Sequence, residues 1–309
     1  MFSFLSMPRF APAIALGNTA LLHPGASVGF AATNPLLLTD SSANQIELSV
    51  GQLGEGIAQL NGTYGFFYKS RPLVVNIKSV QYGTFDATDI WGNSQGSFQA
   101  GEVAFSVGTK IAQWKNIDFG ASLKFVDGAY EAYHSSGIAA DLIARWHREE
   151  QPDVALVVQN AGMQLTAFSS QREPLPLDVI LVVSNRLKYM PLRWAFSFDR
   201  LHQPYLGYED PNLVTIDPLT GETFQDQQNL LNLALRHVNA SAEFMPTQRL
   251  HLLASYSFRR QFEMALPLRR TSGGFNLGAS LYFDRFQLHY ARELRSIVGT
   301  ANTLSLILR

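Results

Sequence analysis

The chain has 309 residues, no cysteine, a formal net charge of -1 and 16% charged residues, against roughly 25% in soluble domains. The balanced charge leaves no electrostatic footprint for nucleic acid, and the missing cysteines exclude disulfides, thiol catalysis and thiolate metal sites. No window reaches the roughly 18 apolar residues of a spanning helix. Low charge without such a helix fits a transmembrane barrel, whose lipid-facing residues are spread one in two along many strands.

From Phe2 to about Ala43 the sequence does not alternate, and Pro8, Pro12, Pro24 and Pro35 exclude a long strand. Met1 to Leu5 carries no basic region, and Pro8, Arg9 and Pro12 interrupt the apolar residues after it, so no signal peptide is read there. Residues 1–43 are expected to be irregular and partly helical, packed in or under a barrel formed by residues 44–309.

From Gln45 onward apolar and polar residues alternate with the period of two that marks a strand. Ile46, Leu48 and Val50 share one face; Leu60, Tyr64 and Phe66 return against Gln59, Asn61 and Thr63. Arg71-Pro72 turns the chain into Leu73, Val75 and Ile77, opposite Asn76 and Lys78. Val103, Phe105 and Val107 come next, then Phe119, Ala121, Leu123 and Phe125, with Gly120, Ser122 and Lys124 opposite. Ile138, Ala140, Leu142, Ala144 and Trp146 oppose Ala139, Asp141, Arg145 and His147. A Val-rich strand after Asp153 leads to Val179, Leu181 and Val183, and then to Trp194, Phe196 and Phe198. Leu233 to Phe244 reads as a strand with a phase slip near His237 that is expected to be a bulge; Leu250 to Phe258, Phe275 to Phe283, Phe286 to Tyr290 and Leu304 to Leu308 complete the set.

The pattern gives about fourteen strands. Their connections alternate between short and long, the arrangement of barrels with tight periplasmic turns and longer outer loops. With both ends in the periplasm, the loops Tyr82–Phe98, Val126–Gly137, Gln164–Pro176, His202–Gln228 and Arg260–Ser272 lie outside. The fold class is therefore an all-β, 14-stranded antiparallel transmembrane barrel with a partly helical N-terminal segment. Of its alternating faces the apolar one meets lipid, so arginine at Leu281 is expected to be worse tolerated than arginine at Ser280.

Candidate catalytic groups are weak. Glu149-Glu150 and Glu209-Asp210 fall in turns, and two Gly-x-Ser-x-Gly matches, at Gly25 and Gly92, lie away from any strand-to-helix junction. The histidines show no metal-ligand spacing. No enzyme activity, cofactor or metal is expected. Asp141, Arg145, His147, His251 and Arg259 project to the interior, where a hydrogen-bonded network and a solute path are alternatives. The longest loop carries Tyr205, Tyr208, Asp210 and Phe224 and is stiffened by Pro204, Pro211 and Pro218. With Trp91 of an earlier loop, these are the expected partner-binding residues.

Ala15-Leu16-Gly17-Asn18 and Asn34-Pro35 resemble the N-terminal segment of FadL-like outer-membrane barrels. Tyr82-Gly83-Thr84-Phe85, Gly96 to Glu102, Gly137 to Asp141, Arg172 to Pro176, and Asp210-Pro211-Asn212 with Asp217 to Gly221 together resemble the PorV/PorQ group of the type IX secretion system. The resemblance implies a FadL-type barrel in the Gram-negative outer membrane that is not an enzyme. It also implies a surface-exposed anchoring role toward a PorZ-like surface protein, in an attachment complex with PorU and PorV. The ending Leu308-Arg309 departs from the aromatic residue common at the end of such barrels. A FadL-like transporter of hydrophobic solutes is the alternative role.

Overall fold

The computed structural model describes residues 2–23, 27–54, 56–148, 150–168, 171–207, 229–264, 273–295 and 299–309, together with the short pairs Thr215–Ile216 and Thr223–Phe224. No described helix is long and apolar enough to cross a membrane. The barrel strands are β1 (Ile46–Gly54), β2 (Ile57–Tyr68), β3 (Arg71–Thr88), β4 (Ser94–Trp114), β5 (Ile117–Tyr130), β6 (Tyr133–Trp146), β7 (Asp153–Thr166), β8 (Asp178–Arg186) and β9 (Leu192–Phe198). After a two-stranded ribbon, β10 (Thr215–Ile216) with β11 (Thr223–Phe224), come β12 (Val238–Phe244), β13 (Leu250–Ser257), β14 (Phe275–Tyr282), β15 (Phe286–Leu294) and β16 (Thr300–Leu308). The fourteen larger strands form one closed antiparallel sheet, each beside its neighbours in sequence, with β9 next to β12. Closure joins β1 to β16, Ile46 opposite Leu308 and Gln52 opposite Asn302.

The alternation points the way a bilayer requires. On β1, Ile46, Leu48 and Val50 are exposed while Glu47 and Ser49 are buried; on β16, Leu304 and Leu308 are exposed while Thr303 and Ser305 are buried. Apolar side chains therefore cover the outside and much polarity is enclosed, the reverse of a soluble sandwich. Aromatic residues collect at the short-turn rim: Tyr68, Trp114, Trp146, Trp194, Phe244, Phe283 and Phe286. Tyr133, Tyr256, Phe258 and Phe275 lie toward the other rim. Rings with an apolar body and a polar edge favour the headgroup level.

All turns at one end are short, including Lys69-Ser70, Lys115-Asn116 and Phe283-Asp284-Arg285. Two connections expected to be outer loops are mostly strand instead. β3 and β4 continue to Thr88 and Ser94, and β5 and β6 meet at a tight turn of Glu131 and Ala132, so Val126–Gly137 is a hairpin tip. Beyond the bilayer neither face must be apolar, so these extensions lose the alternation by which a strand is recognised. Leu230–Leu235 is helical and β12 begins only at Val238, so the phase slip at His237 is a helix-to-strand junction and not a bulge. Phe258–Glu263 is likewise a helical turn, which removes Arg259 from β13.

The N-terminal segment lies inside the barrel. It comprises α1 (Ala11–Leu16), α2 (Val28–Thr33) and three 3-10 turns at Ser3–Ser6, Gly17–Leu22 and Pro35–Leu37. Pro12 stands in the first turn of α1, where its missing N–H removes no helical bond. Ser27 caps α2 by accepting a bond from Gly29 N at 3.2 Å. Asn34 caps the following turn through Leu36 N at 3.0 Å and donates to Leu21 O at 2.8 Å, so the Asn-Pro pair ties two pieces of the plug together. Apolar on nearly all sides, the segment is a core element. Phe2, Phe4 and Leu5 pack on Val80, Ala104, Val126 and Ala139; Leu21 and Leu22 pack on Ile143, Val157, Ile180 and Val182. The inward face of the wall is thus part apolar, where strict alternation led one to expect only small and polar residues. A Cβ on Gly278 would stand 2.6 Å from Ala15 Cβ, and one on Gly65 2.7 Å from Leu38 Cδ1. These two glycines let the plug touch the wall.

Plug packing also alters the expectation for Ser280, which is 1% exposed on the inner wall. Arginine there would be overpacked and not merely tolerated. The lipid face is better tested at Leu123, 70% exposed in mid-strand. Leu123→Arg should cost about 2–4 kcal/mol in unfolding from lipid vesicles, and Leu123→Met under about 1.5 kcal/mol. Equal stability of the two variants would show that this face does not meet hydrocarbon.

Candidate functional site

Two regions could carry function: the filled interior and the loop end. Inside, the plug is tied to the wall by directional bonds. Lys78 Nζ donates to Phe4 O at 2.5 Å and Met7 O at 2.6 Å; Gln59 Nε2 donates to Pro8 O at 2.8 Å. Ala11 N donates to Ser305 Oγ at 2.8 Å, Asn18 Nδ2 to Asp199 Oδ2 at 2.8 Å, and Thr19 Oγ1 meets Ser241 Oγ at 2.6 Å. A void among Leu5, Arg9, Ala13, Asn18, Leu21 and Gln159 measures about 40 Å³, room for no more than one or two waters.

The expected interior residues fall into separate clusters. Asp141 is deepest: Oδ2 pairs with Lys124 Nζ at 2.7 Å, both side chains 2% exposed, and Oδ1 accepts from Asn160 N at 2.8 Å. Lys124 Nζ also donates to Asn160 Oδ1 at 2.7 Å. Asn160 has φ +57° where the register of β7 slips against β6 between Ala140 and Leu142. The bulge turns its amide and backbone toward the charged pair, and Asn tolerates that conformation. Arg145 pairs with Asp153 at 2.8 Å, and His147, also bonded to Asp153, is half exposed at the short-turn rim. His251 Nδ1 meets Glu243 Oε1 at 2.8 Å, while Glu243 Oε2 meets His23 Nε2 at 2.8 Å and Arg193 at 2.9 Å. Arg259 lies on its helical turn 3.9 Å from Glu263 and joins none of these.

Lys78 and Lys124 were read on the polar face of their strands but not joined to the interior network, and Glu47, Glu102 and Glu243 were missed as members of it. All but one were marked by a charge in phase with small or polar neighbours; Glu243 was obscured by the misplaced start of its strand. Glu47 is held by Asn61 at 2.6 Å and Thr63 at 2.8 Å, and Glu102 accepts from Tyr82 at 2.5 Å. Among the described residues no cluster of three His, Asp or Glu side chains could hold a metal ion. Glu150 forms an exposed pair with Lys188 at 3.1 Å, while Glu149, Glu209, Asp210 and Gly25 lie outside the described residues.

At the loop end the β3–β4 hairpin projects. With about 3.3 Å of rise per residue, the stretch from Gln81 to Gly101 adds roughly 25 Å to each strand beyond the apolar belt of Val75, Ile77, Phe105 and Val107. Its tip is organised by Asp89: Oδ1 accepts from Trp91 N at 2.9 Å and Asn93 N at 2.8 Å, and Oδ2 from Asn93 Nδ2 at 2.9 Å. The Asn93 bonds hold its carboxyl below the usual range. Ile90 and Trp91 at the tip are 89% and 79% exposed, and Phe85 stacks on Phe98 with ring centroids 5.4 Å apart. Tyr205 is exposed on the connection after β9; Tyr208 and Asp210 lie outside the described residues, and Phe224 stands opposite Thr215 in the small ribbon.

No protein-family model matches the sequence, and no curated protein matches it. Solved structures do. The Pseudomonas putida toluene transporter TodX is 12% identical over 98% of each chain, with a TM-score of 0.52. A deletion mutant of the TodX monoaromatic hydrocarbon channel, ΔS2, is 12% identical over 99% of this chain and 98% of that one, with a TM-score of 0.53. A Pseudomonas aeruginosa FadL homologue is 9% identical over 98% of each, with a TM-score of 0.48. At such identities the likeness is one of fold alone: like the TodX barrels, this chain closes into a transmembrane barrel, here of fourteen antiparallel strands.

Breaking the deepest ion pair should expose its structural role. Lys124→Met strands the Asp141 carboxylate and should cost about 3–5 kcal/mol in denaturant unfolding, whereas the double change with Asp141→Leu should recover most of the loss. If the double variant is no better than the single one, the pair is not what holds this region.

Proposed function

We propose that the protein is a Gram-negative outer-membrane barrel that works from its cell-surface end as an anchor, holding a PorZ-like surface protein in a type IX attachment complex with PorU and PorV. Carrying this reading is the projecting β3–β4 hairpin, which lifts Ile90 and Trp91 clear of the membrane on an ordered tip. Large exposed apolar side chains on a braced support suit protein recognition, because little freedom is lost on docking. The motifs along the chain that resemble the PorV/PorQ group support the same role, as does the filled interior. No catalytic step is part of this proposal, since the buried carboxylates Glu47, Asp141 and Glu243 are enclosed by their own partners.

A second reading, transport of hydrophobic solutes, is favoured by the likeness of fold to the TodX barrels. It requires the plug to shift, since the apolar inner wall is covered by Phe2, Phe4, Leu21 and Leu22.

Ile90→Ala with Trp91→Ala should leave the barrel heat-modifiable on gels and weaken retention of the surface partner by about 2 kcal/mol or more. Tyr205→Ala with Tyr208→Ala tests the longer connection in the same assay. Normal partner retention in both pairs, together with uptake of a hydrophobic solute that depends on the barrel, would replace the anchor by the transporter.

A further inference from the structure

The short-turn end has its own cavity, of about 460 Å³, lined by Arg186, Arg193, Arg249, Arg309, Tyr282 and Phe283 among others. We infer that it binds an organic phosphate group at the periplasmic mouth of the barrel. Its inner wall is the Glu243 cluster, in which Arg193, His23 and His251 are already engaged. Arg186, Arg249 and Arg309 at the rim are different: none makes an ion pair or a side-chain hydrogen bond among the described residues.

The three come from separate parts of the sheet, the end of β8, the turn before β13 and the residue after β16, so they approach one space from three sides. The rim is fixed by backbone bonds: Tyr282 N donates to Arg249 O at 2.9 Å, Arg309 N to Arg285 O at 3.2 Å, and Met245 N to Pro191 O at 2.7 Å. Asp284 lines the same space, so three guanidinium groups without an ion pair among the described residues outnumber its one side-chain carboxylate. A carboxylate ligand is satisfied by one planar fork, whereas the oxygens of a phosphate can accept from several guanidinium groups at once. The volume exceeds that of the bare anion and falls in the range of small-molecule sites, and Tyr282, Phe283 and Met245 offer apolar surface to the organic part. The ligand is therefore a phosphate ester, either the headgroup of a phospholipid in the adjacent leaflet or a soluble metabolite.

The test uses the whole protein in detergent, with native mass spectrometry for dioleoylphosphatidylglycerol against dioleoylphosphatidylcholine and calorimetry for sn-glycerol 3-phosphate. Arg186→Gln with Arg249→Gln, both at exposed positions, should lower binding about tenfold or more while the barrel stays heat-modifiable. Lys115→Gln, in another turn of the same end, should leave binding unchanged. Selective retention of phosphatidylglycerol supports a headgroup ligand, and arginine-dependent binding of glycerol phosphate supports a soluble one. Equal losses in the arginine and lysine variants would reduce the site to a diffuse positive rim. Indifference between the two lipids with no binding of glycerol phosphate would overturn it.

Discussion

Hydrocarbon offers no partner to a backbone N–H or C=O, and that constraint determines this molecule. A spanning sheet has to close on itself, so β1 must find β16, and the strands between them must present apolar residues to one side only. Closing the sheet creates a second demand. Fourteen strands enclose a wide space, and the inward residues Glu47, Lys78, Lys124, Asp141 and Glu243 would otherwise face either water or each other. The N-terminal segment meets that demand by filling the interior with Phe4, Phe10, Leu22 and Phe30 and supplying Phe4 O and Met7 O to Lys78. Wall and plug are therefore one core, and its polar clusters hold their register because each charge has a partner close by.

The same constraint decides how much of the fold was legible in the sequence. Wherever a strand crosses the bilayer the period of two is enforced, and the strands from Ile46 to Leu308 could be placed by it. The hairpin tips could not, because past the membrane Tyr82–Phe98 and Val126–Gly137 are free of that requirement yet remain paired. Leu230–Leu235 and Phe258–Glu263 are short helical turns whose apolar residues imitate strand spacing, and so Arg259 was placed on a strand when it lies on a helical turn. Plug-facing Val80, Ile143, Ile180 and Val182 break the alternation for a third reason: they point inward yet meet an apolar protein neighbour, so their strands are apolar on both faces there. Asn160 was invisible for a fourth, since a bulge is set by how two strands meet and not by the letters of one.

A filled interior moves attention to the two ends, which differ in kind. One end lifts a stiff hairpin with a hydrophobic tip away from the membrane; the other is flat, with tight turns and guanidinium groups around a cavity. The first suits a protein partner and the second a small anionic group.

The N-terminal segment is an integral part of the core and seals the barrel. Ion conductance in planar bilayers, compared between the whole chain and a chain lacking residues 2–38, tests this most directly. The whole chain should be silent, and the truncated one should either conduct through an open lumen or fail to fold because the buried charges of the wall have lost their partners. A truncated protein that folds to the same heat-modifiable barrel and stays as silent as the whole chain would contradict it.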